Sequence, residues 1–282
     1  LMVTANAANT TFDDSSEITA QFEEAALVLS GLGVFKGTDE GKFNPKGEIT
    51  RAEVAAIIYR LATGDVNDRQ VHIYDDYGKF KDVAPTAWYA GYVGYCANAE
   101  YIKGSNGYFY PMNKVTGYEA LAMILRAVGY DQNSEFSGSG WQVRVASLSK
   151  QLGVTANVVN SDFDTTLNKA ATREVVADLL FQTAATVPTV TYTPALSYND
   201  KQNVLGGVYN PTLGQKIFGL WYATSWQTID EWGRPGYNWY KNGSWDGSTR
   251  TDANTGKAYV IKDNHPLYTG STVPGNVVAT IK

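Results

Sequence analysis

The chain has 282 residues, 44% hydrophobic and 18% charged, with a net charge of −5 and a pI near 5.1. At about 150 residues per domain this leaves room for about two cores, and the low charged fraction excludes a charge-rich disordered polymer. The acidic balance excludes nucleic-acid binding through a basic surface and a polybasic membrane-surface role, and without an apolar run of about 18 residues no membrane insertion is expected within this span.

Residues 1–11 are small and uncharged, and Ala5-Asn6-Ala7 fits the small-x-small pattern before a signal-peptidase cut. The segment is the remnant of a signal peptide or a flexible N-terminus. Three related units follow, predicted at 12–64, at 65–130 with a polar linker at its start, and at 131–186. Each reads as an apolar helix, a glycine-containing turn, an irregular loop, a threonine and a second apolar helix. The marker threonines are Thr50, Thr116 and Thr172. Thr50 with Glu53, and Thr116 with Glu119, have capping-box spacing, whereas Val175 occupies the glutamate position of the third unit. Apolar stripes then run through Val54, Ile57, Ile58 and Leu61, through Leu121, Ile124, Leu125 and Val128, and through Val175, Val176, Leu179 and Leu180. Gly37, Gly41, Gly104 and Gly107 suit the tight turns. One such unit cannot bury much alone, so the three are expected to pool their stripes in one core, closed with pseudo-threefold symmetry.

A Pro/Thr-rich linker is predicted at 187–200 and a small β-rich domain at 201–282, where Thr, Val, Tyr and Trp alternate with turn signals at Asn242-Gly243, Asp246-Gly247 and Pro274-Gly275. The fold class is therefore α+β and multidomain, with an all-α N-terminal part. Five tryptophans, Trp221, Trp226, Trp232, Trp239 and Trp245, either fill the small β core or form a sugar-stacking platform.

Chemistry-bearing residues are few. Cys96 is the single cysteine and His72 and His265 the only histidines, which excludes a disulfide framework and a thiolate zinc site and leaves almost no raw material for a His-rich metal site or a serine-histidine triad. Cys96 reads as a small apolar residue in a helix, and both histidines as solvated. Asp13-Asp14, Asp39-Glu40 and Asp75-Asp76 offer oxygen donors but lack a calcium-loop spacing and read as solvated turns. No metal or cofactor is expected. In the tail, Asp230 and Glu231 are adjacent and on a strand would point to opposite faces, a poor start for a glycosidase pair.

Arg51 is the first helical residue after its capping threonine. That position sets a guanidinium beside free helix amides and the positive end of the dipole, a place suited to an anion, and above all to a carboxylate that accepts two parallel hydrogen bonds. Alternatively Arg51 pairs with Glu48 or Glu53 on the surface, at ~0–1 kcal/mol.

The residues Gly37, Phe43-Asn44-Pro45 and Ile49-Thr50-Arg51-Ala52-Glu53, then Phe80-Lys81-Asp82-Val83, Trp88, Gly104, Phe109-Tyr110-Pro111 and Val115-Thr116, and finally Thr172-Arg173-Glu174, resemble three S-layer homology domains. The resemblance implies a three-pronged spindle around a central helical bundle. It also implies binding of secondary cell-wall polysaccharide, often pyruvylated, in grooves between adjacent repeats, and so a secreted protein held non-covalently on a bacterial cell wall or S-layer. Carried over by position, Arg51 and Arg173 match the family's arginine and Gly117 does not. At most two grooves are then fully equipped, the first better than the third, and the Gly117 groove is non-binding or recognises a neutral sugar face. The resulting ligand-binding candidates are Thr50, Arg51, Glu53, Asp82, Trp88, Thr172 and Arg173. Trp88 either stacks on sugar or is partly buried in the bundle, and Phe43 is a groove wall or core. The function expected is a non-enzymatic anchor. The alternatives are an anchored polysaccharide- or peptidoglycan-degrading enzyme and a self-associating subunit of a surface lattice or filament.

Overall fold

The computed structural model describes residues 12–38, 40–158, 163–190, 211–229, 235–241, 250–251, 258–259 and 276–281. The N-terminal segment 1–11, His265, the pair Asp230-Glu231, Trp232, Trp245 and the three predicted turn dipeptides of the tail lie outside these residues.

The three units each contribute a first helix, α1 (Glu23–Gly31), α3 (Ala90–Asn98) and α5 (Trp141–Gln151), and a second helix, α2 (Arg51–Thr63), α4 (Gly117–Ala127) and α7 (Arg173–Thr186), with the short α6 (Phe163–Leu167) preceding α7. Both predicted capping boxes form. Thr50 Oγ1 accepts the Glu53 amide at 3.3 Å while Glu53 Oε2 accepts the Thr50 amide at 2.7 Å, and Thr116 and Glu119 repeat this at 3.2 and 2.9 Å. Thr172 keeps the extended N-cap backbone, but its hydroxyl makes no cap bond, and Val175 has no carboxylate to accept the Thr172 amide, so neither half of the box forms. α2 stops at Gly64, which takes φ 73°, a region costly for any residue with a Cβ.

The apolar stripes meet in one core. Val54, Ile58, Leu121, Ile124, Leu125, Leu179 and Leu180 are all buried, at roughly 1.5–3 kcal/mol for each large side chain. Cys96 lies in α3, buried, and donates to the Ala55 carbonyl; burial pushes its thiol up. His72 is exposed beside Asp75. It belongs to a 3₁₀ stretch, Val71–Tyr77, where the sequence reads as a polar linker. That stretch lies against α3 because Gly91 and Gly94 have no side chains: a Cβ there would sit 2.2 Å from the Val71 carbonyl oxygen and 2.1 Å from that of Tyr74.

The residues just before the second helices bond to one another in a ring. The Ile49 amide donates to Ala171 at 3.1 Å, Ala171 to Val115 at 2.8 Å, and Val115 back to Ile49 at 3.0 Å. Each unit thus gives one hydrogen bond and receives one, which sets the three helix N-termini in register.

The tail opens with a helix where β structure is predicted. α8 (Leu213–Phe218) starts at a capping box of Thr212 and Gln215 and ends at Gly219 with φ 57°. It is wedged against the bundle, with Gly214 near the Ala184 carbonyl and Ile217 over Gly64. Beyond it, β1 (Trp221–Ile229), β2 (Pro235–Lys241) and β5 (Asn276–Ile281) form an antiparallel sheet in the order β1-β2-β5, and β3 (Arg250–Thr251) pairs with β4 (Ala258–Tyr259). Strand β5 lies on α1, where a Cβ at Gly31 would fall 2.3 Å from the Val278 carbonyl oxygen. Trp239 anchors the sheet: its indole donates to Glu24 at 2.7 Å and its ring meets Phe181 edge-on at 5.2 Å. Trp221 and Trp239 are buried core residues, and Trp226 has its backbone on β1. The whole is α+β. Among the described residues no helix is long and apolar enough to cross a membrane.

Candidate functional site

Arg51 does not stay with its own helix. Its Nε donates to the Phe109 carbonyl at 2.8 Å, Nη2 to the Lys103 carbonyl at 3.0 Å and Nη1 to Glu119 Oε1 at 3.0 Å, all in the next unit. The guanidinium also lies 4.8 Å over the Phe109 ring. Burial pushes it below its ordinary pKa; Glu119 opposes that, the Arg126 charge adds to it and Asp82 opposes it again. The receiving loop is clipped by Asp82, whose two oxygens accept the amides of Phe109 and Tyr110 at 2.8 and 2.7 Å.

The plan recurs one junction away. Arg173 donates from Nε to Phe43 and from Nη2 to Lys36, both at 2.8 Å, with Glu53 at 3.6 Å. Asp14 clips the Phe43 and Asn44 amides at 2.8 and 2.7 Å. Asp14 is therefore a buried loop clip and not the solvated turn residue its Asp-Asp context suggests. The signal that identifies it is the shared Phe-x-Asp of Phe12-Asp13-Asp14 and Phe80-Lys81-Asp82.

At the remaining junction the repeat positions that would hold arginine and glutamate are Gly117 and Val175. Both partners of the pair are absent together, so no charge is stranded. The space is filled as well: a Cβ on Gly117 would lie 2.9 Å from Leu167 Cα and 3.0 Å from its carbonyl oxygen.

The first-turn amides are not free, contrary to the sequence expectation. Arg51 N donates to Asn113 at 3.0 Å, Ala52 N to Pro111 at 2.9 Å, and the amides of Glu53 and Val54 go to Thr50. In α7, Arg173 N and Glu174 N donate to Gly47 and Pro45. Neighbouring carbonyls thus occupy the helix N-termini, and any anion must be met by side chains. The pairing of Arg51 with Glu48 or Glu53 is likewise replaced by Glu119.

Those side chains line a cleft of about 570 Å³ at the Arg51 junction. Arg51, Lys103, Lys114 and Arg126 face it with Ser105, Asn113, Tyr110 and Trp141, and Glu119 is the one acid among its lining residues. Lys103 and Arg126 reach Asp131 at 2.9 and 2.6 Å. Burial alone would raise the Asp131 carboxyl, but the Phe136 amide, Arg126 and Lys103 hold it below its ordinary value. Repeat equivalents exist in the first unit, where Arg60 and Lys36 both contact Asp68. Tyr110 is 42% exposed and stacks on Tyr108 at 5.8 Å, which gives the cleft an aromatic rim.

The predicted residues are placed unevenly. Arg51 lines the cleft. Thr50 caps α2 from behind it, and Asp82 shapes its loop without lining it. Glu53, Thr172 and Arg173 belong to the other Arg junction, where the Thr172 hydroxyl is buried without a partner. Trp88 is 55% exposed, edge-on to Tyr89 and Tyr92 and away from the cleft lining. Phe43 is core. Lys103, Lys114, Arg126 and Tyr110 escape sequence reading, because only the packing of the 103–114 loop beside α4 turns them to one surface. The arrangement suits a hydroxyl-rich anion. With a single acid already bound to Arg51 and to the Thr116 cap, the cleft lacks the paired carboxylates of glycoside hydrolysis.

A family model described as the S-layer homology domain matches residues 11–55 and 79–121. The chain is 30% identical over 162 residues to the middle cell wall protein of Brevibacillus brevis, covering 57% of this chain and 14% of the relative. It is 31% identical over 142 residues to the surface layer protein of Brevibacillus choshinensis, covering 50% and 12%. An amylopullulanase of Thermoanaerobacterium thermosulfurigenes is 25% identical over 185 residues, covering 61% of this chain and 9% of that protein. The chain thus matches only a small part of each relative's length.

Proposed function

This chain is an S-layer homology domain protein, and from that premise we propose that its helical part is a non-enzymatic anchor that grips secondary cell-wall polysaccharide. It is a secreted protein of the bacterial cell wall or surface layer. The repeats at 12–64, 65–130 and 131–186 close around a pseudo-threefold axis, a reading supported by the hydrogen-bond ring of Ile49, Val115 and Ala171. The polymer engages through carboxyl groups such as pyruvyl ketals. The observation that carries this is the 570 Å³ cleft in which Arg51, Lys103, Lys114 and Arg126 face one acid. Arg173 equips a second groove, and the Gly117 junction, filled by Leu167, takes no ligand.

The amylopullulanase similarity favours one second reading, in which the same repeats tether an enzyme. Self-association in a lattice is compatible with either.

The test is binding of the full chain to wall sacculi before and after removal of their covalently attached polysaccharide. Binding lost on stripping, and weakened at least ~10-fold in Arg51→Lys, supports the anchor. Binding that survives stripping refutes it. Release of reducing sugar from wall glycans by this chain would instead establish the enzyme.

A further inference from the structure

A second chamber, of about 330 Å³, lies behind the Arg51 cleft. The two share Lys103 and Arg126, which line both, so the ion cluster those cations form with Asp131 stands between the chambers. The far wall comes from outside the three repeats: Thr189, Leu213 and Lys216 face Tyr130 and Gln132 across it.

That wall is fixed. Thr189 donates from both its amide and its hydroxyl to the Pro211 carbonyl, at 3.1 and 2.9 Å. The Val190 amide reaches the Val128 carbonyl at 2.8 Å, and Gly129 is packed so tightly there that a Cβ would lie 2.1 Å from the Val190 oxygen. Ile217 and Gly214 seat α8 on α2 and α7. Lys216 is exposed and forms no ion pair among the described residues. Of the chamber's two acids, Asp131 is already held by Lys103 and Arg126, leaving Glu100 against the Lys216 charge.

A cation with no ion pair among the described residues, a rim of amide and hydroxyl groups, and two cations that line both cavities set a second anion-accepting chamber beside the Arg51 cleft. We propose that this chamber is a second glycan subsite, in which Lys216 receives the anionic group of the next sugar unit of the polymer held at Arg51. The segment following the repeats then lengthens the binding site from one unit to two. This rests on the anchor reading above.

Two ligands test it by titration calorimetry on the full chain: a pyruvyl-ketal disaccharide with one carboxylate, and its tandem tetrasaccharide with two. The wild-type chain is expected to bind the tetrasaccharide ~10-fold or more tightly than the disaccharide, because the second contact is intramolecular. In Lys216→Gln that advantage falls to about the twofold given by having two equivalent ends, disaccharide affinity is unchanged, and Lys216→Arg restores the difference. Equal wild-type affinity for both ligands, or an advantage that survives Lys216→Gln, overturns the second subsite while leaving the anchor intact. Failure of both ligands to bind the wild-type chain overturns the carboxylate reading of the Arg51 cleft, and this proposal with it.

Discussion

Replacing Arg51 separates the two inter-unit arginines. Arg51 spends three donors on the Phe109 and Lys103 carbonyls and on Glu119. Hydrogen bonds from a charged donor are worth about 1.5–3 kcal/mol each when one partner is removed, and breaking a buried pair costs about 3–5 kcal/mol in all. Arg51→Ala should therefore lose about 3–5 kcal/mol. Arg51→Lys should lose about 2–3 kcal/mol, because one ammonium cannot span three acceptors set out for a planar fork. Arg173 keeps two such carbonyl bonds, but its acid stands 3.6 Å away on a side chain 36% exposed. A double-mutant cycle of Arg51→Ala with Glu119→Gln should give a coupling of about 1 kcal/mol, since Glu119 is itself a third exposed, and the Arg173 and Glu53 cycle less than ~0.5 kcal/mol. Urea denaturation of the full chain measures all of these, with binding compared only where each variant is folded. Equal couplings at the two junctions, or an Arg51→Ala cost below about 1 kcal/mol, would show that the three Arg51 hydrogen bonds do not hold this junction together.

Asp178 is 1% exposed, and its carboxyl is pushed up to about 6 by burial and by Glu24, against the opposing amides of Asn157 and Gln182. The folded chain therefore holds this proton more tightly than the unfolded chain, so the stability it contributes is complete below the ordinary value of 3.8 and is lost as pH rises through 6. Relative to Asp178→Asn, the wild-type chain should lose about 2 kcal/mol between pH 4 and pH 7; parallel pH profiles from chemical denaturation would contradict this. Asp14→Asn and Asp82→Asn should each cost about 1–3 kcal/mol and, through the loops they clip, weaken different grooves: Asp82 that of Arg51, Asp14 that of Arg173. Thr212→Ala, which removes the cap of α8, should cost about 1 kcal/mol and raise amide exchange in 213–218 before it does so in α2. Gly94→Ala should destabilise despite the better helix propensity of alanine, because its Cβ meets the Tyr74 carbonyl; an unchanged melting temperature would mean that the 71–77 stretch yields freely.

Legibility followed distance along the chain. The boxes at Thr50 and Thr116 and the buried stripes are set by spacings of three or four residues, which the backbone geometry of a helix turns directly into contacts. The α8 box was equally visible in Thr212-Leu213-Gly214-Gln215, but the Tyr, Trp and Thr around it pointed to strands. The site is otherwise. Arg51 and Glu119 are 68 residues apart, and they meet only because the start of α2 docks on the loop and helix of 103–119. The same docking turns the carbonyls of Asn113, Pro111, Gly47 and Pro45 onto helix amides that the sequence leaves free. Gly117 and Val175 each look like an isolated departure from a motif, and only the junction joins them as the two missing halves of one pair. Local sequence thus determined which residues start the second helices and which faces are apolar. Tertiary structure decided which arginine faces which acid and where the cations collect, because side-chain direction across a junction depends on how whole units are docked.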